Sequence, residues 1–451
     1  MERTTRRPGF PAANSLPRLF FCHCPPAILA AVLPAVSATA DAFFTARLGT
    51  DAVCAVGIAF PILAAIQTVG FVFGTGGASL LSRALGAGDH DRADAVSSGV
   101  FWAALACSVL LAVPGLCFLG PLLSLLGANG PVLQSAHRYA ACLLAAAPPM
   151  CAVFVLSNLL RAEGHTALAM LGQGAANLFC SLLAPLFIFA FDLGLFGAGL
   201  AFPVGYGLAV PLLLAAPLSG KSDLSLRPRF SRAVLRAVGN ALAAGAPSLF
   251  RQGLGAVAVI LLNRAARPYG AGMIAAISVT SRLFLFLYGF SLGTGQGTVP
   301  AAGYCYGAGD RPRARKIFLV AVAVSASLAV LLALPTALLA PRLIGLFRTD
   351  GDVLSFGVPL LRLFCAVLPL HGPVAVTNLF LQGLGKQIPA SLVAAMRQGI
   401  FFLPAVFLLP GRLGAWGVLL TQPIADVLTF LFALPFFFLL LRDLKKSPDH
   451  A

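Results

Sequence analysis

Charge is what this chain has least of. Of its 451 residues only 10% are Asp, Glu, Lys or Arg, while 59% are hydrophobic and the mean hydropathy is +0.91. A soluble domain carries about 25% charged residues, so this chain cannot clothe a water-facing surface. Its apolar runs also lack the strict polar–apolar alternation, over about ten residues, of membrane β-strands. They are long enough to span a bilayer as helices. Acids are the scarcer sign, 15 against 31 Lys and Arg, for a formal charge of +16. A basic soluble chain would suggest nucleic acid. Here no basic patch is interleaved with aromatics, and the basic residues sit in loops between spans. Lipid headgroups and topology account for them, and no nucleic-acid partner is expected. The ten cysteines lie mostly inside apolar runs and form no even framework, so they read as small buried hydrophobes. Cys22-His23-Cys24 fits no usual zinc spacing.

Enzyme signatures are missing in context. Gly289-Phe290-Ser291-Leu292-Gly293 has the form of a nucleophile elbow but lies in a predicted helix with no strand before it. Gly220-Lys221-Ser222 resembles the end of a phosphate-binding loop, but Ala215 replaces the first glycine and a transmembrane helix precedes it. Glu163-Gly164-His165 is no metalloprotease motif. No enzyme activity and no cofactor are expected. With no soluble domain to hold a nucleotide, energy must come from an ion gradient or a partner. Arg3, Arg6 and Arg7, then an apolar run and Ala38-Thr39-Ala40, imitate a secretory signal. Cleavage there would remove most of the first span, so an uncleaved first helix is expected.

What the chain does have is an internal repeat. Gly74-Thr75-Gly76, Gly86-Ala87-Gly88-Asp89 and Arg92-Ala93 return as Gly293-Thr294-Gly295, Gly307-Ala308-Gly309-Asp310 and Arg313-Ala314. At the same offset, about 220 residues, Asn158 to Gly164 returns as Asn378 to Gly385, and Gly197 with Pro203 as Gly417 with Pro423. The chain is two related halves. Six spans are expected in the first (20–46, 53–82, 95–119, 132–158, 166–191, 197–218) and six in the second (238–263, 270–306, 317–341, 353–382, 388–409, 414–441). The expected fold is thus an all-α integral membrane protein: twelve transmembrane helices in two six-helix lobes, 1–218 and 238–451, with a cytoplasmic linker at 219–237. The linker region carries Lys221, Arg227, Arg229, Arg232 and Arg236. The termini and even-numbered loops hold about 20 Lys and Arg and the odd-numbered loops about 6, which puts both termini in the cytoplasm. With an even number of spans per half, a pseudo-two-fold axis along the membrane normal is expected. Gly70, Gly74, Gly293 and Gly297, at four-residue spacing, allow close helix approach.

Only Asp41 and Asp426 lie well inside apolar spans. Acids within the bilayer are costly and usually functional. Such a carboxylate can bind and release a proton, or ligate sodium with nearby Asn, Tyr and backbone oxygens. It can instead be a structural partner of a buried Arg. For Asp426 that alternative is open, since Arg251, Arg282, Arg362 and Arg397 also lie in second-half spans.

At this point the sequence resembles the multidrug and toxic-compound extrusion (MATE) transporters over nearly its whole length. The resemblance rests on Asp41 through Gly49, Ala55 through Pro61, Ser82 through Gly88 and Leu160 through Gly164. In the second half it rests on Gly295-Gln296-Gly297, Tyr306-Gly307-Ala308, Arg397-Gln398-Gly399 and Gln422 through Asp426. It implies two lobes, a central cavity, and export of amphipathic, often cationic, small molecules against protons or sodium by alternating access. Asp41 matches the family's first-helix acid, and Tyr139 and Asn158 match polar positions around it. The fifth helix of the family often has Asn-x-x-x-Asp-Pro, where this chain has Cys180, Ala184 and Pro185, and Phe202 stands where Thr is frequent. The expected ion-coupling residues are Asp41, Tyr139, Asn158 and Asp426. Those of the substrate cavity are Gln67, Asn263, Arg282, Gln296 and Arg397. A monomer in the plasma membrane is expected, in contact with lipid. A related two-lobe fold can also flip lipid-linked precursors, in which case the arginines would bind phosphate.

Overall fold

A computed structural model describes residues 16–445 apart from 129, 221, 223, 229–230 and 348–350. Arg3, Arg6, Arg7, Lys221 and Arg229 lie outside the described residues. Among those described there is no strand. Sixteen helices follow in order: α1 (Leu16–Ala46), α2 (Thr50–Gly86), α3 (His90–Cys117), α4 (Leu119–Leu125), α5 (Gly130–Ala145), α6 (Ala147–Ala162), α7 (Thr166–Pro185), α8 (Gly194–Leu218), α9 (Arg232–Ala266), α10 (Ala271–Gly307), α11 (Arg311–Leu338), α12 (Ala340–Phe347), α13 (Gly351–Gly383), α14 (Gln387–Ala395), α15 (Phe402–Leu413) and α16 (Ala415–Asp443). A π turn, Leu186–Ala190, continues α7 after Pro185, and a second, Met396–Ile400, joins α14 to α15.

Eleven helical segments are long and apolar enough to cross a membrane. Helices α5 and α6 make the twelfth span, bent by 43° at Ala146 ahead of Pro148 and Pro149. Proline removes a helical hydrogen bond and crowds the preceding turn, so the bend falls there. Side chains exposed along the spans are mostly apolar, Leu110, Leu182, Leu331 and Phe407 among them. That pattern suits acyl chains rather than water.

The repeat noted in the sequence is helix punctuation. Gly88 (φ 72°) and Gly309 (φ 81°) end α2 and α10 in the left-handed conformation that a side chain disfavours. The next amides, of Asp89 and Asp310, reach back to the carbonyls of Ala84 and Cys305 at 3.0 and 2.8 Å. The Asp89 and Asp310 carboxylates then accept from the amides of Arg92 and Arg313 at 3.0 Å and cap α3 and α11. Gly164 and Gly385 repeat the stop, with His165 N–H to Leu160 O at 2.9 Å and Lys386 N–H to Leu381 O at 2.8 Å.

By packing, the chain divides into two compact units, residues 33–249 and residues 16–32 with 250–445. Sequence symmetry draws its line at the linker, whereas the packing boundary runs through α1 and through α9. In unit 1 the core forms around α6, buried along nearly its whole length from Met150 to Ala162 and packed on α2, α3, α7 and α8. Gly76 of α2 lies against the Ala241 backbone of α9, and Gly245 of α9 against the Val72 backbone. The linker is fastened to α3: Ser97, Ser98 and Trp102 donate to the carbonyls of Ser225, Arg227 and Leu226. In unit 2 the core forms around α13, buried from Val374 to Gly383 and packed on α10, α11 and α16. Gly293 and Gly297 of α10 lie against the Ile28 and His23 backbones of α1. Close packing is thus what these glycines are used for, as their spacing suggests.

Candidate functional site

Unit 1 holds the first acid. Asp41 lies five residues before the end of α1, half-buried. Its charge acts on Tyr139 of α5, Cys180 of α7 and Tyr206 of α8, so four helices meet there. Tyr139 and Tyr206 are buried, each 5% exposed. One turn before Asp41, Ser37 ties α1 to α7 through Asn177 O (3.1 Å) and the Ser181 hydroxyl (2.6 Å). The approach of α7 to α8 depends on Gly205, where an added Cβ would stand 2.7 Å from Cys180 Sγ. The Cys180 thiol donates to Ala201 O at 3.4 Å, and Ala184 is buried.

The other expected coupling residue of this unit is placed elsewhere. Asn158 stands near the far end of α6, nineteen residues beyond Tyr139, or roughly 28 Å along the bent span. Its amide donates to Phe154 O at 2.7 Å and rests on Gly74, whose Cβ would come within 2.9 Å of it. Gln67 of α2 is half-buried in the same unit.

Unit 2 holds the second acid. Asp426 of α16 is 1% exposed. Its Oδ1 accepts from Arg397 Nε at 2.8 Å and from Gln422 Nε2 at 2.9 Å, while Oδ2 is buried with no hydrogen-bond partner among the described residues. Arg397 sits on the π turn Met396–Ile400, a feature that re-aims side chains and is frequent at functional positions. Its guanidinium lies over Phe284 and Tyr288 of α10, 5.5 and 5.7 Å from the ring centroids. The His371 ring of α13 is 4.8 Å from Tyr288, and neither imidazole nitrogen has a hydrogen-bond partner among the described residues. Arg251 Nη1 donates to Asn378 Oδ1 at 3.2 Å, and Asn378 Nδ2 to Ala390 O at 2.6 Å. The structure therefore joins Arg397 and Asp426 in one network. Asn263 and Gln296 are half-buried in this unit, and Arg282 is exposed.

The rejected motifs have physical reasons for their silence. Ser291 is buried in mid-helix at 1% exposure. The Ser222 hydroxyl is taken up by Glu163 and by the amide of Leu224. Cys22, His23 and Cys24 are consecutive on α1, about 100° apart around the axis, and so cannot converge on one ion. No group of three His, Cys, Asp or Glu suited to a metal occurs among the described residues.

The MatE family profile matches residues 26–189 and 231–407, one stretch in each half. The chain belongs to the MatE family. It is a multi-pass membrane transporter of small molecules, and not an enzyme. The chain is 25% identical over 391 residues to the multidrug export protein MepA of Staphylococcus aureus strain MSSA476, covering 87% of this chain and 86% of that one. Its fold matches an outward-facing multidrug resistance MATE family transporter of the MOP superfamily, with TM-score 0.91, 22% identity, and 99% and 100% of the two chains covered. It matches the Vibrio cholerae MATE transporter VcmN in the bent form with TM-score 0.85, 22% identity, and 95% and 98% coverage. The all-α, two-lobe, twelve-span reading of the sequence agrees with these folds.

Two features of this MatE transporter escaped the sequence. Tyr206 lies within electrostatic reach of Asp41, and the available signal was its place one turn after Phe202 on a span already marked by Pro203. The Phe284–Tyr288 pair under Arg397 was legible only as an i, i+4 aromatic pair.

Proposed function

We propose that this protein exports amphipathic small molecules, cationic ones among them, in exchange for protons, by alternating access between its two lobes. The carrying observation is the company of Asp41: two buried phenols and a thiol, on three other helices. A proton needs one carboxylate and neighbours that tolerate both charge states. Sodium is a hard cation that needs an oxygen-rich shell. Cys180 and Ala184 put a thiol and a methyl where the family pattern has an amide and a second carboxylate, which removes two such ligands. The name of the MepA relative, a multidrug export protein, supports a substrate range of the same kind. The basic even-numbered loops support a plasma-membrane orientation with both termini cytoplasmic. A monomer surrounded by lipid suffices for this cycle.

If substrate and proton exchange at Asp41, adding the lipophilic cation tetraphenylphosphonium to the purified protein in weak buffer releases protons. About one proton per bound cation is expected in the wild type and none in Asp41→Asn. Cation binding with no proton release in the wild type would sink the exchange.

A further inference from the structure

We propose that unit 2 carries an anion subsite, built on Arg397, that takes the carboxylate of an amphipathic organic acid or zwitterion. The proposal rests on the export reading and narrows its substrate class. Two sides of the guanidinium are held. Its Nε is fixed by Asp426 at 2.8 Å, and one face lies over Phe284 and Tyr288, whose rings are 6.3 Å apart and within 2° of parallel. The side chain is 19% exposed, and neither terminal nitrogen has a hydrogen-bond partner among the described residues. What remains is a two-donor edge, rigid and planar, the arrangement that matches a carboxylate.

A purely structural ion pair would be closed. An arginine and a buried acid that serve only each other are frequently bidentate, with both oxygens on two donors. Here Asp426 uses Oδ1 for both Arg397 and Gln422 and leaves Oδ2 with no partner among the described residues. The one-point contact anchors the guanidinium while its outer edge stays open. Charge balance points the same way. Away from the helix ends, the spans of unit 2 hold Arg251, Arg282, Arg362 and Arg397, and among the described residues Asp426 is the one acid there. Arg251 also acts on Tyr288, so its charge adds to the field at the same aromatic floor. A cation placed at Arg397 would meet repulsion, whereas an anion there lowers the surplus. Tyr288 is half-buried and gives the apolar part of such a ligand a surface beside the fork.

The test uses full-length protein in a neutral detergent, with equilibrium dialysis of naphthoate against its uncharged analogue naphthamide. Wild type is expected to bind naphthoate at least about tenfold more tightly, the effect of one or two charge-assisted hydrogen bonds. Arg397→Gln should abolish that preference, and Arg397→Lys should recover only part of it, because an ammonium has no fork. The double variant Arg397→Gln with Asp426→Asn leaves no charge unpaired in the membrane and should show the same loss. Equal binding of the two probes by wild type, or a preference that survives in the double variant, overturns the subsite. Proton release by tetraphenylphosphonium is scored separately on the same preparation. Its failure with the naphthoate preference intact overturns the proton exchange at Asp41 and leaves the anion subsite standing.

Discussion

At the scale of single residues, the two acids within the spans are handled in opposite ways. Asp41 is given neighbours that do not neutralise it, while Asp426 is given a cation. Removing one member of a buried pair strands the other, at a cost of about 3–5 kcal/mol. Asp426→Asn should therefore lower the thermal stability of the detergent-solubilised protein by several degrees, and adding Arg397→Gln should restore most of it. Equal stability of the single and double variants would show that the pair is not coupled. At the other acid, Tyr206→Phe keeps the shape of the ring and removes its hydroxyl. Proton-driven transport should fall severalfold with the melting temperature little changed, as checked by efflux and thermal unfolding on one preparation. Both acids were visible in the sequence because charge is so scarce in the spans. Their neighbours were not. Arg397 and Asp426 are 29 positions apart on different helices, and only packing brings them together. Asn158 and Asp41 share a polar character that sequence reading associates, yet a bent helix holds the asparagine far from the acid.

At the scale of elements, glycine sets how closely helices approach. An alanine Cβ at Gly76 or Gly245 would overlap backbone atoms of the neighbouring helix. Backbone cannot step aside as a flexible side chain can, so Gly76→Ala should destabilise the protein strongly, by about 2 kcal/mol or more. Gly57 and Gly253 have open space where a Cβ would go. Alanine at either should be neutral or stabilising by up to about 1 kcal/mol, from helix propensity. Thermal unfolding of the four variants checks the contrast, and equal shifts would contradict it. The repeat that marks the helix stops was visible because their chemistry is local: a left-handed glycine followed by an Asp cap needs those residue types in that order. The π turn that presents Arg397 left no such mark, since one extra residue per turn has no residue signature.

At the scale of the whole molecule, twelve spans and a two-lobe fold follow from hydropathy and from the internal repeat, and both are readable in the sequence. The division of α1 and α9 between the packing units was not readable, because it depends on which glycine face each helix meets rather than on the order of spans. The two copies of the repeat are expected on one side of the membrane. In a cysteine-free background, Asp91→Cys and Ala308→Cys should both react with an impermeant maleimide in inside-out vesicles and neither in right-side-out vesicles. Labelling of the two from opposite sides would break the twelve-span topology. The central claim, that Asp41 exchanges a proton for substrate, is tested most directly by gradient-driven efflux. Proteoliposomes loaded with a fluorescent lipophilic cation would be given a proton gradient and, separately, a sodium gradient, with wild type and Asp41→Asn side by side. The account predicts efflux from wild type under the proton gradient alone and its loss in the mutant. Efflux driven by sodium, or efflux that is the same in mutant and wild type, would contradict it.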